Sequence, residues 1–163
     1  MIFQLCLHDN TIGAHEVNDR TKNIDVLALD LEGTLISNAV SQIPRPGLHM
    51  FLLECAARFP RVVMFTTVPE ARFRAIARTL ADEGAVPAWF ADIEYVHWQG
   101  PTKDLRFIAD AHLGHTVLVD DCRDVIHPAQ VEQWVPAPLF RHPYAESGGS
   151  FQTVLDALSN YRG

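Results

Sequence analysis

The chain has 163 residues, the length of one ordinary domain, and a domain near this size buries roughly 70% of its unfolded surface. With 48% apolar and 20% charged residues it has a globular composition, which excludes a chain too polar to bury a core. The net charge of −7, with no long basic run, argues against a general grip on nucleic acid, and no apolar run approaches the roughly 20 residues of a membrane span.

Residues 1–7 are apolar and the stretch that follows is polar, so residues 1–23 form an N-terminal segment whose structure the pattern leaves open. From residue 24 to 163 short apolar runs alternate with helical periodicity, which predicts a single α/β domain built from βαβ units around a mainly parallel sheet. Strands are expected at 25–30 (DVLALD), 61–66 (RVVMFT), 89–96 and 116–120 (TVLVD). Between the first two, Pro46 fits the first turn of a helix that carries Leu48, Phe51, Leu52 and Cys55 on one face. A second helix begins after Pro69, turns Phe73, Ile76, Ala77 and Leu80 inward and Arg72, Arg74 and Arg78 toward water, and stops at Gly84. A third is expected over 102–112, with Leu105, Ile108 and Ala109 on one face and Gly114 after it. Pro136, Pro138, Pro143, Gly148 and Gly149 mark an irregular loop, and a last helix runs from a Ser150 cap to about residue 161.

Three strand ends collect polar side chains: Asp30, then Thr66 with Thr67, then Asp120 with Asp121. In a parallel α/β sheet the carboxyl ends of the strands form one rim, where ligands bind at a topological switch point. Adjacent carboxylates there repel and are costly to desolvate, and a hard divalent cation with oxygen ligands is the simplest compensation. Mg²⁺ suits such a site, because it keeps waters and takes its remaining ligands from phosphate. Each residue alone has a bland reading as a turn residue, a strand β-branched residue or a solvated lysine; together, in one order, they point to phosphate chemistry.

The chain at this point resembles the haloacid dehalogenase superfamily. DLEGTL at 30–35 is similar to its first signature, Thr66 to the second, Lys103 in GPTKDL to the third, and VLVDD ending at Asp121 to the fourth. Within it, RPGL at 45–48, MFTTVPE and VDDCRDVIHP resemble the branch of RNA polymerase II tail phosphatases and nuclear LIM interactor-interacting factors. Members of that branch usually carry Asp where this chain has Glu32, and many carry Asn where it has Asp121.

The resemblance implies a Rossmann-like three-layer sandwich and a Mg²⁺-dependent phosphatase in which Asp30 becomes an aspartyl phosphate. Asp30, the main-chain carbonyl of Glu32 and Asp121 would hold the metal, with Asp120 behind them. Thr66, Thr67, Lys103 and Gly33 would meet the phosphoryl group. Glu32 would serve as acid and base, as the similar DIEGT signature of enolase-phosphatases suggests; the other reading has it turned away. Residues 36–43 allow only a small flap and no large cap domain, so the expected substrate is a phosphoprotein or another bulky phosphate ester. The alternative function is a catalytically weak phosphatase-like protein-binding module.

Three cysteines without CxxC spacing read as reduced thiols and, with no signal-peptide pattern, imply a cytoplasmic protein. Cys6 and Cys55 are expected to pack in the interior, and Cys122 to be a small buried filler rather than a thiol open to the site. The eight histidines lack zinc spacing and read as surface or capping residues, and Trp89, Trp98 and Trp134 as packing residues.

Overall fold

Uninterrupted apolar runs fold as strands buried on both faces, and this sheet is assembled from them. The computed structural model describes residues 22–144 and 150–163. In chain order the elements are β1 (Lys22–Asn23), β2 (Val26–Leu29), α1 (Leu48–Arg58), β3 (Arg61–Met64), α2 (Glu70–Asp82), β4 (Glu94–Tyr95), β5 (Thr116–Asp120), β6 (Trp134–Pro136), α3 (Gln152–Leu158) and β7 (Tyr161–Arg162). The main sheet has the order β4-β3-β2-β5-β6 and is parallel throughout. Leu29 lies opposite Met64 on one side and Val119 on the other. The residues just beyond β2, β3 and β5 therefore emerge together at the rim where the order changes direction.

Alternation along the strands sorts the core into two faces. Leu27, Leu29, Met64, Val117 and Val119 face α1, α2 and α3, with Phe51, Phe73, Leu80 and Leu158 among the residues packed on them. Val26, Ala28, Val63 and Leu118 face the other way, onto Leu105, Ile108 and Ile126. That second face is covered by 3₁₀ turns at Leu105–Phe107 and Arg123–Val125. The architecture is α/β and Rossmann-like, as expected, with no large cap among the described residues.

Helix α2 matches its expected face, with Phe73, Ile76, Ala77 and Leu80 buried. Gly84, at φ 73°, ends it in a Schellman arrangement, the Ala85 N–H donating to Leu80 O and the Gly84 N–H to Ala81 O. Its arginines are not simply solvated: Arg72 reaches Ala39 O, and half-buried Arg74 reaches Ala91 O and Ile93 O.

Several expectations need correction. The segment 102–112 is not an α-helix; only Leu105–Phe107 forms a 3₁₀ turn, and Ala109 is exposed. Two of its backbone donors go to distant partners, the Lys103 N–H to Val125 O and the Leu105 N–H to Gln130 Oε1, and those of Phe107, Ile108 and Ala111 make i→i−3 bonds, leaving no continuous α-helical ladder. Of residues 89–96 only Glu94–Tyr95 pair with β3, because 88–92 form a 3₁₀ turn that buries Phe90. Pro46 lies outside α1, ahead of a Gly47 cap at φ 81°. Helix α3 ends at Leu158 and is capped by Phe151, not Ser150; the Phe151 ring stacks on Phe51 at 4.0 Å, and the chain then turns into β7 beside β1.

The apolar stretch 1–7, Cys6, and Gly148 with Gly149 lie outside the described residues. Among those described, no helix is long and apolar enough to cross a membrane. Cys55 is buried as expected, and burial pushes its thiol up to about 12. Cys122 is exposed, contrary to its reading as a buried filler. The histidines largely cap or pair at the surface, His115 with Asp25 at 3.0 Å and His127 with the Ala129 N–H at 3.3 Å.

Candidate active site

At the carboxyl rim, β2 delivers Asp30, β5 delivers Asp120 and Asp121, and the bend after β3 delivers Thr66 and Thr67. One carboxylate oxygen from each aspartate lies within 4.8 Å of the others. Lys103, only 1% exposed, is inserted between two of them, its Nζ 2.6 Å from Asp30 Oδ1 and 2.5 Å from Asp120 Oδ2. The 3₁₀ segment that replaces the expected helix places it there, anchored by the main-chain bond to Val125.

Burial, above all, and then repulsion from Asp30 push the Asp120 carboxyl up to about 6 in spite of Lys103. Burial likewise raises Asp121. For Lys103 burial works downward, but Asp30 and Asp120 outweigh it and hold the ammonium above its usual value. Two of the three carboxylates thus share one lysine.

The cleft they form, about 100 Å³, is lined by Asp30, Glu32, Thr67, Lys103, Asp121 and Cys122, with Asp120 and Val125 behind. Half-buried Glu32 faces this cleft while its Oε1 accepts a 2.5 Å hydrogen bond from the Ala39 N–H. It is therefore tied to the small flap, which is held in turn by the 2.8 Å bond from Arg72 to Ala39 O. Thr67 lines the cleft; Thr66 does not. The Thr66 side chain is buried, its hydroxyl accepts from the Val68 N–H, and it borders the adjoining groove.

Gly33 turns the loop after Asp30 at φ +76°, and a Cβ there would sit 2.7–2.8 Å from the Asp121 carboxyl atoms. Gly33→Ala is expected to cost about 1–3 kcal/mol through the left-handed backbone alone and to displace Asp121. Urea unfolding checks this, and wild-type stability and activity in the variant would contradict it.

Two supporting residues escaped sequence reasoning. Thr34 donates to Asp121 Oδ1 at 2.9 Å and accepts from the Asp121 N–H at 3.1 Å, locking that carboxylate. Arg45 is 1% exposed between the Phe140 and Phe151 rings and donates to Gly33 O at 2.9 Å and to Pro138 O. Desolvation lowers its guanidinium to about 10. Both sit inside motifs already visible, DLEGTL and RPGL, but their partners are far along the chain.

A comparison with curated proteins finds no match. The family model for NLI interacting factor-like phosphatases matches residues 25–161, which include every residue of the cleft. The chain therefore belongs to this family of phosphatases, a branch of the haloacid dehalogenase superfamily.

Proposed function

We propose that the protein is a Mg²⁺-dependent phosphomonoesterase that works through a phosphoryl group carried on Asp30. The observation that carries this is the cluster of three carboxylates at one strand rim, two of them paired with a buried lysine. The donor set fits Mg²⁺: it is all oxygen, partly desolvated and short of positive charge. Asp120 has both oxygens engaged, Oδ2 by Lys103 and Oδ1 by the Cys122 N–H at 2.8 Å. Asp30 and Asp121 each accept a hydrogen bond on Oδ1. Both residues line the cleft. Asp30, Asp121 and the Glu32 carbonyl would hold the ion, with Asp120 orienting Lys103. When bound, the ion supplies neutralisation of phosphoryl charge.

Asp30 attacks phosphorus, and the leaving oxygen departs with a proton from Glu32. Glu32, now a carboxylate, takes a proton from water as that water attacks the acyl phosphate, releasing phosphate and restoring Asp30. Lys103 fixes the rotation of the Asp30 carboxylate and, with Thr67, meets the phosphoryl oxygens. The small flap leaves the cleft open, which suits a phosphoprotein or another bulky ester.

The basic test is release of 4-nitrophenol from its phosphate ester with Mg²⁺ and its loss on chelation; no release above background would overturn the proposal. Asp121→Ala is expected to raise the Mg²⁺ concentration for half-maximal activity roughly 10- to 100-fold. Unchanged Mg²⁺ dependence would remove Asp121 from the ion's ligands. Glu32→Gln keeps an oxygen to accept from Ala39, so the flap stays in place, but it has no proton to give. It should lose roughly 10²- to 10⁴-fold in rate, less for 4-nitrophenol than for an alkyl leaving group. Equal losses in the phosphorylation step would mean that Glu32 is not the acid.

A further inference from the structure

A second depression of about 400 Å³ adjoins the carboxylate cleft and shares Thr67 with it. Tyr95, His97 and Trp98 line it, together with Pro69 and Gly100. We propose that this groove receives the leaving group of the substrate and selects an aromatic one, so that the preferred substrate is an aryl phosphate monoester, the phosphate of a phenol. The inference rests on the phosphatase reading of the neighbouring cleft and goes beyond it by naming the substrate class.

Continuity is the first argument. Thr67 lies where the two depressions meet, so an ester whose phosphorus sits over Asp30 would extend its leaving group into the groove.

The second argument is preorganisation. The Trp98 indole N–H donates to Thr66 O at 2.9 Å, and the Tyr95 hydroxyl donates to Val68 O at 2.7 Å. These carbonyls flank Thr67, so both rings are fastened to the same short segment that borders the cleft. Trp98 also packs edge-on against Phe65 at 5.7 Å, and the His97 ring stands edge-on to Tyr95 at 5.1 Å. With their polar tips occupied, Tyr95 and Trp98 offer ring surface to whatever enters. Rigid rings accept a planar apolar group with little ordering cost.

Charge is the third. Among the described residues no lysine, arginine, aspartate or glutamate lines the groove, and His97 has Nε2 3.2 Å from Glu70. A second phosphate or a carboxylate would meet no lysine or arginine there and would approach the Glu70 carboxylate that His97 already faces, whereas a neutral ring adds no charge to that pair. Past Trp98 the surface continues to the exposed Phe107 in a further depression of about 240 Å³, room for a residue flanking a phosphotyrosine.

The test compares unreactive analogues, which separates binding from leaving-group reactivity. With Mg²⁺ present, phenylphosphonate is expected to bind wild-type protein roughly tenfold or more tighter than methylphosphonate, as read by Trp fluorescence or calorimetry. Trp98→Leu should erase most of that preference, and His97→Ala should reduce it, each read as the ratio of phenylphosphonate to methylphosphonate affinity within the same variant. His97 is exposed, so its variant reports even if Trp98→Leu fails to fold. A tripeptide carrying the non-hydrolysable phosphonomethyl analogue of phosphotyrosine is then set against benzylphosphonate: tighter binding of the peptide assigns the ring to a phosphoprotein, equal binding to a small aryl ester, and either supports the groove. Phosphate binding and alkyl ester hydrolysis without any phenyl preference would overturn the groove alone. The same follows if the preference survives both variants. Absence of binding by phosphate and both phosphonates, with no hydrolysis, would overturn the phosphatase site as well.

Discussion

Asp30→Asn is expected to lower turnover by roughly 10⁴-fold or more, the scale on which removal of a covalent nucleophile is felt, while the protein stays folded. The amide is isosteric and keeps an oxygen to accept from Lys103, whose bond to Asp30 is now 2.6 Å. It also relieves Asp120, because repulsion from Asp30 is the second cause of that carboxyl's upward displacement to about 6. Thermal unfolding without Mg²⁺ should therefore fall at or above the wild-type midpoint, the pattern expected where a site holds strain for function. Retained turnover would falsify covalent catalysis through Asp30, and a collapsed midpoint would show that the loss of rate is only a loss of fold.

Lys103→Met should produce the largest loss of stability. The side chain is buried, its volume is matched by methionine, and its removal leaves Asp30 and Asp120 without their cation. Breaking a buried ion pair from one side costs about 3–5 kcal/mol. The cost depends on pH. A carboxyl raised above its unfolded value destabilises the folded state when ionised, so the penalty is full above the folded value and fades as pH falls through it. In wild type that value is about 6 for Asp120, and without the lysine it moves higher. Urea unfolding in chelator should accordingly show the variant recovering stability relative to wild type from neutral toward mildly acidic pH. A variant as stable as wild type at neutral pH would contradict the assignment of Lys103 as the balancing charge.

How far the sequence carried the reading differs from residue to residue. The strands β2, β3 and β5 were legible because each is an apolar run needed to fill both faces of a parallel sheet, and their register then places Asp30, Thr66 and Asp120 at one rim. The juxtaposition of Asp30, Asp120, Asp121 and Lys103 follows from that rim and from the motif order. The segment 102–112 was misread because Leu105 and Ile108 are three apart, a spacing that a 3₁₀ turn buries as well as an α-helix does. What decides between them is Val125 O and Gln130 Oε1, distant partners with no local signature. Thr66 and Thr67 illustrate the same limit: both border the adjoining groove, Thr67 also lines the carboxylate cleft, and the Thr66 hydroxyl accepts from the Val68 N–H, a difference with no signal in the sequence. Cys122 is exposed because the chain leaves β5 into an open 3₁₀ turn, which the apolar run before it does not foretell. Arg45 is buried by Phe140 and Phe151, far downstream in the chain, so the RPGL motif marked the residue but not its surroundings.

The most direct measurement of the central claim is chemical trapping of the intermediate. Protein turning over an aryl phosphate with Mg²⁺ is quenched and treated with borohydride, which reduces an acyl phosphate to the alcohol, and the peptides are read by mass spectrometry. The account predicts homoserine at position 30, absent without substrate and absent in Asp30→Asn. Substrate hydrolysis with an unreduced Asp30, or with the alcohol at another carboxylate, would contradict it.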